Sequence, residues 1–125
     1  MEKVIFIWTI SALGAFGQCI NCEQKEKIGQ ICWGADRSAT EVHYASFSDY
    51  SRLSASTVSK DYISEAMVHL NWLLENAPCF HRSLYVQMET FLNEVLTKEQ
   101  DRRRKKEFQK KLKEVQGLKS KYFSN

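Results

Sequence analysis

The chain has 125 residues and a formal net charge of +3, and this length fits one domain with a modest core. After the N-terminal apolar segment, no stretch approaches the roughly 18 apolar residues of a membrane span. With only five glycines, the chain also has no glycine-rich phosphate loop, which excludes that class of nucleotide-binding protein.

The first 17 residues predict a secretory signal peptide. A lysine supplies a positive start, and Val4 to Phe16 is mostly apolar and about as long as the hydrophobic region of a leader. Ala15 and Gly17 place small residues where a signal peptidase reads, which predicts cleavage before Gln18. The alternative is a buried strand or short helix of an intracellular domain.

Secretion implies an oxidising environment for residues 18–125. We expect these residues to form a helical domain over 18–97 and a basic C-terminal helix over 98–125. The four cysteines then predict two disulfide bonds that staple a small domain. These cysteines are Cys19, Cys22, Cys32 and Cys79.

A first short helix is predicted from Cys22 to Trp33. Asn21 and the glutamine three residues later resemble a capping box, and Gly34 is a typical C-terminal stop. The next segment, residues 35–57, is rich in serine and threonine and fits no single period. We expect a long connection there with at most one or two helical turns.

Two amphipathic helices are predicted next. In the first, apolar residues recur at steps of three and four, Ser59 can cap the start and Pro78 ends the helix. The second begins after Cys79. The two apolar stripes comprise Val58, Tyr62, Ala66, Leu70, Leu73 and Ala77, and then Leu84, Met88, Phe91, Leu92, Val95 and Leu96.

The C-terminal tail begins with eleven residues, 97–107, that include no apolar side chain. A helical stripe then returns, and the tail either folds back as a fourth helix or projects towards a partner. The predicted fold class is therefore all-α, a small three- or four-helix bundle stapled by disulfides. The stripe of the tail comprises Phe108, Leu112, Val115, Leu118, Tyr122 and Phe123.

The predicted first helix constrains the disulfide pairing. It would separate Cys22 from Cys32 by ten residues, about 15 Å along the axis, whereas a disulfide needs Cα atoms within about 7 Å. The remaining pairing joins Cys19 to Cys22 and Cys32 to Cys79, and the second bond would stabilise the fold by about 4 kcal/mol. Two alternatives remain: a redox C-x-x-C pair at a helix N-terminus, and a zinc site formed by the four cysteines or by cysteines together with His81.

The other titratable residues do not predict an enzyme. His69 falls on the buried stripe of the second amphipathic helix, where we expect a hydrogen-bonded core histidine. His43 and His81 are placed in connections, and no recognisable spacing sets a nucleophile or carboxylate beside them. No cofactor and no metal site are expected.

Charge is distributed unevenly along the chain. Residues 98–125 carry eleven basic and four acidic side chains, a balance of +7, whereas residues 18–97 have a balance of −4. The centre of the basic tail is Arg102, Arg103, Arg104, Lys105 and Lys106. This run is either a solvated helix face, a patch for acidic glycans, lipid headgroups or an acidic partner, or a processing site. A nucleic-acid role would require the leader not to be a signal peptide.

The leader, the C-x-x-C of Cys19 and Cys22, the third cysteine Cys32 and the amphipathic helices together resemble the N-terminal helical domain of the Izumo-type sperm surface proteins. The resemblance covers residues 18–97. It implies an extracellular four-helix module that acts by adhesion in sperm–egg binding or fusion. In that family the opening pair bonds to a second C-x-x-C after the last helix, and this sequence has only one such motif.

The sequence therefore predicts a secreted, non-enzymatic protein-binding module, with gamete adhesion or fusion as its most specific role. The expected partner is an extracellular or cell-surface protein, with acidic glycans as a further ligand of the basic tail and no nucleic acid. Two alternatives are a cytokine-like or hormone-like ligand and a secreted thiol oxidoreductase that uses Cys19 and Cys22.

Overall fold

A computed structural model describes residues 31–34, 36–57 and 60–123 of the chain. Within these ranges the protein contains four helices and no strand, which confirms the predicted all-α class. The helices are α1 (Arg37–Ser56), α2 (Lys60–Asn76), α3 (Arg82–Lys98) and α4 (Arg102–Tyr122). The predicted signal peptide, Cys19, Cys22 and Ser59 lie outside the described residues.

The sequence predicted a long connection over residues 35–57, and this prediction is wrong. Helix α1 occupies most of that segment. Asp36 caps the helix by accepting a hydrogen bond from the Ala39 backbone N–H at 3.0 Å. The buried positions recur every seven residues at Thr40, Phe47 and Ser54. Two of the three are polar, so the core-facing stripe of α1 has no apolar period that a sequence pattern could reveal.

The predicted first helix does not reach its expected end. Ile31 to Gly34 are not helical, and the Cys32 N–H instead donates to the Phe80 carbonyl at 3.0 Å. Gly34 has φ +82°, and a Cβ at this position would lie 2.5 Å from the Asn76 carbonyl oxygen, so only glycine fits. The start of that predicted helix lies outside the described residues. The helical spacing that excluded a bond between Cys22 and Cys32 therefore no longer applies.

Helices α2 and α3 follow the prediction. Helix α2 ends at Asn76, two residues before Pro78, and His81 caps α3. The Tyr85 hydroxyl donates to the Pro78 carbonyl at 2.6 Å across the connection, and burial raises the pKa of this phenol above its usual value. The two helices supply most of the core. Their buried residues include Ile63, Ala66, Leu70, Leu73, Leu74, Leu84, Tyr85, Met88, Phe91, Leu92 and Val95.

Helix α4 folds back onto the bundle, which is one of the two arrangements predicted for the tail. Phe108, Val115 and Phe123 are buried in the same core. The Lys119 ammonium bonds the Glu89 carboxylate at 2.9 Å, and a guanidinium N–H of Arg82 donates to the Phe123 carbonyl at 3.0 Å.

The helices form two pairs, α1 with α2 and α3 with α4, and the side-chain contacts within each pair show that its helices are antiparallel. Contacts between the pairs show that α1 and α3 run in the same direction. The Gln87 side chain donates to the Tyr44 hydroxyl at 3.1 Å, and eleven residues further along both helices the Lys98 ammonium donates to the Ala55 carbonyl at 3.2 Å. The bundle is therefore up-down-up-down with short connections.

Candidate functional site

The basic run lies at the start of α4, where the helix dipole disfavours positive charge. Arg102, Arg103 and Arg104 occupy the first turn, which contains no acidic residue. Asp101 caps the helix by accepting from the Arg103 N–H at 3.2 Å and supplies the adjacent negative charge. Cations at a helix N-terminus destabilise the helix by a few tenths of a kcal/mol each, so this arrangement is not explained by helix stability.

Arg104 does not belong to the same surface as its neighbours. Its Nε lies 3.2 Å from the Glu99 carboxylate, and its guanidinium carbon lies 5.3 Å from the centre of the Phe108 ring. The Glu99 side chain is only 8% exposed, and it also accepts from the Asp101 N–H. Arg104 therefore stabilises the turn between α3 and α4, and we do not count it as a binding residue.

The exposed cations of α4 form a surface that we call the basic face. Lys106, Lys110 and Lys113 follow at steps of four and three, and Arg102 and Arg103 lie one turn before Lys106. All five side chains are exposed, on the side of α4 opposite the buried core residues. The basic face spans twelve residues, from Arg102 to Lys113, a rise of about 16 Å at 1.5 Å per residue.

Among the described residues, no ion pair neutralises the basic face. Glu107 lies four residues after Arg103 and three before Lys110, at one edge of the face. Glu114 lies at the same edge and pairs with Lys111 at 2.8 Å. Within the described part of the chain, no ion pair involves any of the five basic-face cations. The amides of Gln109 and Gln116 extend the surface as uncharged hydrogen-bonding groups along a shallow depression beside Lys106, Lys110 and Lys113.

The structure thus places the predicted patch differently from the sequence run. Arg102, Arg103, Lys105 and Lys106 are exposed, but Lys105 points to the flank of α4 and Arg104 points towards the turn. Sequence reasoning missed Lys110 and Lys113, although their helical spacing from Lys106 was available as a signal. A run of adjacent residues covers all sides of a helix, whereas a face is read at steps of three and four.

A second polar cluster joins α1 to α2. The Nδ1 atoms of His43 and His69 lie 2.9 Å apart, and the His43 ring stacks on Trp72 with centroids separated by 4.0 Å. His69 is hydrogen-bonded and its side chain is 16% exposed, with its Nε2 3.9 Å from the Glu65 carboxylate. Burial, and secondarily the proximity of His43, lowers the pKa of His69, while Glu65 opposes the shift. His43 lies within α1, so its predicted place in a connection is wrong.

Neither of the described cysteines, Cys32 and Cys79, is a free thiol. Because Cys19 and Cys22 lie outside the described residues, the pairing of the four cysteines stays a prediction. In the described part of the chain, no group of three or more His, Cys, Asp or Glu side chains could hold a metal ion.

The chain has no match among protein-family models, curated proteins or solved structures. None of the helices over the described ranges is both long and apolar enough to cross a membrane. The basic face, with its five exposed and unneutralised cations, is the candidate functional site.

Proposed function

We propose that the protein is a secreted, non-enzymatic binding module that contacts an acidic partner through the basic face. One observation carries this proposal: five exposed cations lie on one side of α4, and none of them forms an ion pair within the described part of the chain. Like charges three and four residues apart destabilise a helix, and the arginines of the first turn also oppose the helix dipole. A partner that supplies negative charge would offset both costs.

The most specific form of the proposal is adhesion between gametes, which the resemblance to the Izumo-type helical domain implies. The helical bundle supports a compact extracellular module, and the finding that neither Cys32 nor Cys79 is a free thiol supports disulfide staples. Mapping of the disulfides by mass spectrometry tests the staples. We expect Cys32 and Cys79 each in a disulfide-linked peptide pair, and recovery of either one as a free thiol would contradict the staples.

The cytokine-like alternative has less support from the connectivity. Cytokine bundles run up-up-down-down with two long crossover connections. The described helices run up-down-up-down, with three residues, Glu99 to Asp101, between α3 and α4 and five, Ala77 to His81, between α2 and α3. This difference disfavours the cytokine-like alternative.

The oxidoreductase alternative has a direct test. If Cys19 and Cys22 are catalytic, replacing both with serine abolishes reduction of insulin by the purified protein and leaves the helical signal largely intact. We expect no such activity before the replacement.

Labelled protein tests the main proposal on live cells. We expect the secreted full chain to bind the surface of gametes more than a panel of somatic cells, and Lys106→Gln combined with Lys113→Gln to reduce that binding. The matched control is Arg37→Gln combined with Arg52→Gln, which removes two exposed positive charges from α1. Equal binding by the wild type and both double variants would contradict a role for the basic face.

A further inference from the structure

We infer that the ligand of the basic face is a linear sulfated polysaccharide of the glycosaminoglycan class, bound along the axis of α4. This inference rests on the proposed function, because such polymers are extracellular. The surface is long and narrow: the cations extend about 16 Å along one helix and are confined to one side of it. A flexible chain that repeats its negative groups can contact every cation of such a line at once.

The kinds of side chain on the basic face also fit sulfate groups. Lysine is a compact point charge on a flexible stem, so Lys106, Lys110 and Lys113 can adjust to sulfates at irregular spacing. Arg102 and Arg103 add guanidinium groups, which bind tetrahedral oxyanions through two parallel hydrogen bonds. Beside the charges, the Gln109 and Gln116 amides can donate to hydroxyl or carboxylate oxygens of the sugar ring.

A protein partner fits the basic face less well. Protein interfaces depend on a central cluster of apolar or aromatic anchors, and charged residues are depleted there. None of the five basic-face residues is apolar, and the half-buried Leu112 is the one apolar side chain that lines the depression beside them. The exposed large apolar side chains lie before α1 and on α1, α2 and α3: Ile31, Val42, Leu53, Val68 and Val86.

A membrane surface also fits less well. An interfacial helix inserts its apolar side among the lipids beneath a charged side. The apolar side of α4 is instead buried in the protein core through Phe108 and Val115. Only the cations would contact headgroups, with no apolar side chain of α4 inserted among the lipids to anchor it.

Heparin chromatography of the full, oxidised chain tests the inference. We expect retention above the physiological concentration of about 0.15 M NaCl. The double variant Lys106→Gln and Lys113→Gln, which we call the face variant, should weaken the affinity for heparin about tenfold relative to wild type. The control, Arg37→Gln combined with Arg52→Gln, carries the same net charge as the face variant and should elute close to wild type. Equal shifts for the two double variants would overturn the inference, because net charge alone would then explain retention.

Competitors identify the class of polyanion. We expect sulfated heparin in solution to release the protein at far lower concentration than chemically desulfated heparin, phosphatidylserine vesicles or duplex DNA, at equal charge. Equal competition by any of the three would overturn the assignment to a sulfated polysaccharide. Circular dichroism and thermal unfolding should show that the double variants retain the wild-type fold. If the face variant is unfolded, single Lys106→Gln and Lys113→Gln variants measure the same loss in smaller steps.

Treatment of cells with heparan-sulfate and chondroitin-sulfate lyases together separates this inference from the proposed function. We expect the treatment to remove the binding that depends on the basic face. If binding survives the enzymes but is still lost in the face variant, the glycan inference fails and the proposed binding role stands. If the untreated cells bind wild type and face variant equally, the proposed function itself fails.

Discussion

Helices α1 and α4 pack against the same core in similar ways but carry their charges differently. Each is a long, mostly polar helix with a few buried residues seven positions apart, Phe47 between two polar residues in α1 and Phe108 and Val115 in α4. In α1 the exposed arginines pair within the helix, Arg37 with Glu41 at 3.1 Å and Arg52 with Asp49 at 2.7 Å. The basic face of α4 has no such pairs.

The difference between α1 and α4 shows which charge arrangement this fold requires of a polar outer helix. Helix α1 shows that this bundle accommodates a polar outer helix whose charges are locally balanced. The unbalanced charge of α4 is therefore not a requirement of solubility or packing. It is better explained by contact with a molecule outside the chain, which is why we assign function to α4.

The largest expected effects test the similarity of the two helices. Phe47→Ala and Phe108→Ala should each lower the free energy of unfolding by about 3–5 kcal/mol, because each removes a large buried ring and leaves a cavity. Chemical denaturation measures both. Val42→Ala, at a position 61% exposed on α1, is the control and should change stability by less than about 0.5 kcal/mol. A small effect of Phe108→Ala alone would mean that α4 is not part of the core.

A smaller effect tests the polar core of α1. The buried Thr40 hydroxyl lies 2.6 Å from the Trp33 carbonyl and 2.7 Å from the Asp36 carbonyl, so it can donate to either. Thr40→Val keeps the volume and removes the donor, which should cost about 1–3 kcal/mol. Thr90→Val removes an exposed hydroxyl that bonds the Val86 carbonyl and is the matched control. Equal stability of the two variants would show that the Thr40 hydrogen bond does not hold α1 in place.

These polar core positions explain which helices could be predicted. Helices α2 and α3 have apolar residues at nearly every buried position, so their periodicity identified them. Helix α1 buries Thr40 and Ser54, whose hydroxyls bond backbone carbonyls of their own helix or the segment before it. Sequence patterns treat such residues as loop formers, and only tertiary contacts reveal that they are buried.

The sequence predicted only part of the candidate site, because the rest depends on tertiary contacts. The adjacent cations of residues 102–106 mark the basic region, but the membership of the site depends on direction around the helix. Arg104 is turned inwards by Glu99, a contact across a turn that no helical period predicts. Lys110 and Lys113 join the site because α4 continues with its opposite side on the core.

The histidine pair that joins α1 to α2 should contribute a pH dependence to stability. The pKa of His69 is lowered below its ordinary 6.5 in the folded protein, mainly by burial. As pH falls through 6.5, the unfolded chain takes up a proton that the folded protein does not. The free energy of unfolding should therefore decrease from pH 7.5 to pH 5.

His69→Gln should flatten this dependence, as measured by urea denaturation at several pH values. Val68→Gln, at the exposed neighbouring position, should retain the wild-type dependence. If His69→Gln leaves the pH dependence unchanged, the histidine pair between α1 and α2 is not its source.

The smallest effect concerns the charges themselves and should have opposite signs on the two helices. Lys106→Glu places a carboxylate four residues from Arg102 and from Lys110, and should stabilise the fold by about 0.2–0.5 kcal/mol per pair. Arg52→Gln on α1 removes an exposed ion pair and should destabilise it by less than about 1 kcal/mol. Thermal unfolding at low salt measures both changes. Destabilisation by Lys106→Glu would indicate that the basic face contributes to folding.

The central claim is that the basic face of α4 binds a linear sulfated polysaccharide. Its most direct test is the Kd for a heparin oligosaccharide of defined length, measured over a range of NaCl concentrations. We expect log Kd to rise linearly with log salt concentration. The slope should fall by about two in the double variant Lys106→Gln and Lys113→Gln, because each substitution removes one ionic contact. The α1 control pair should keep the wild-type slope. A slope that is equal in all three proteins would contradict the claim.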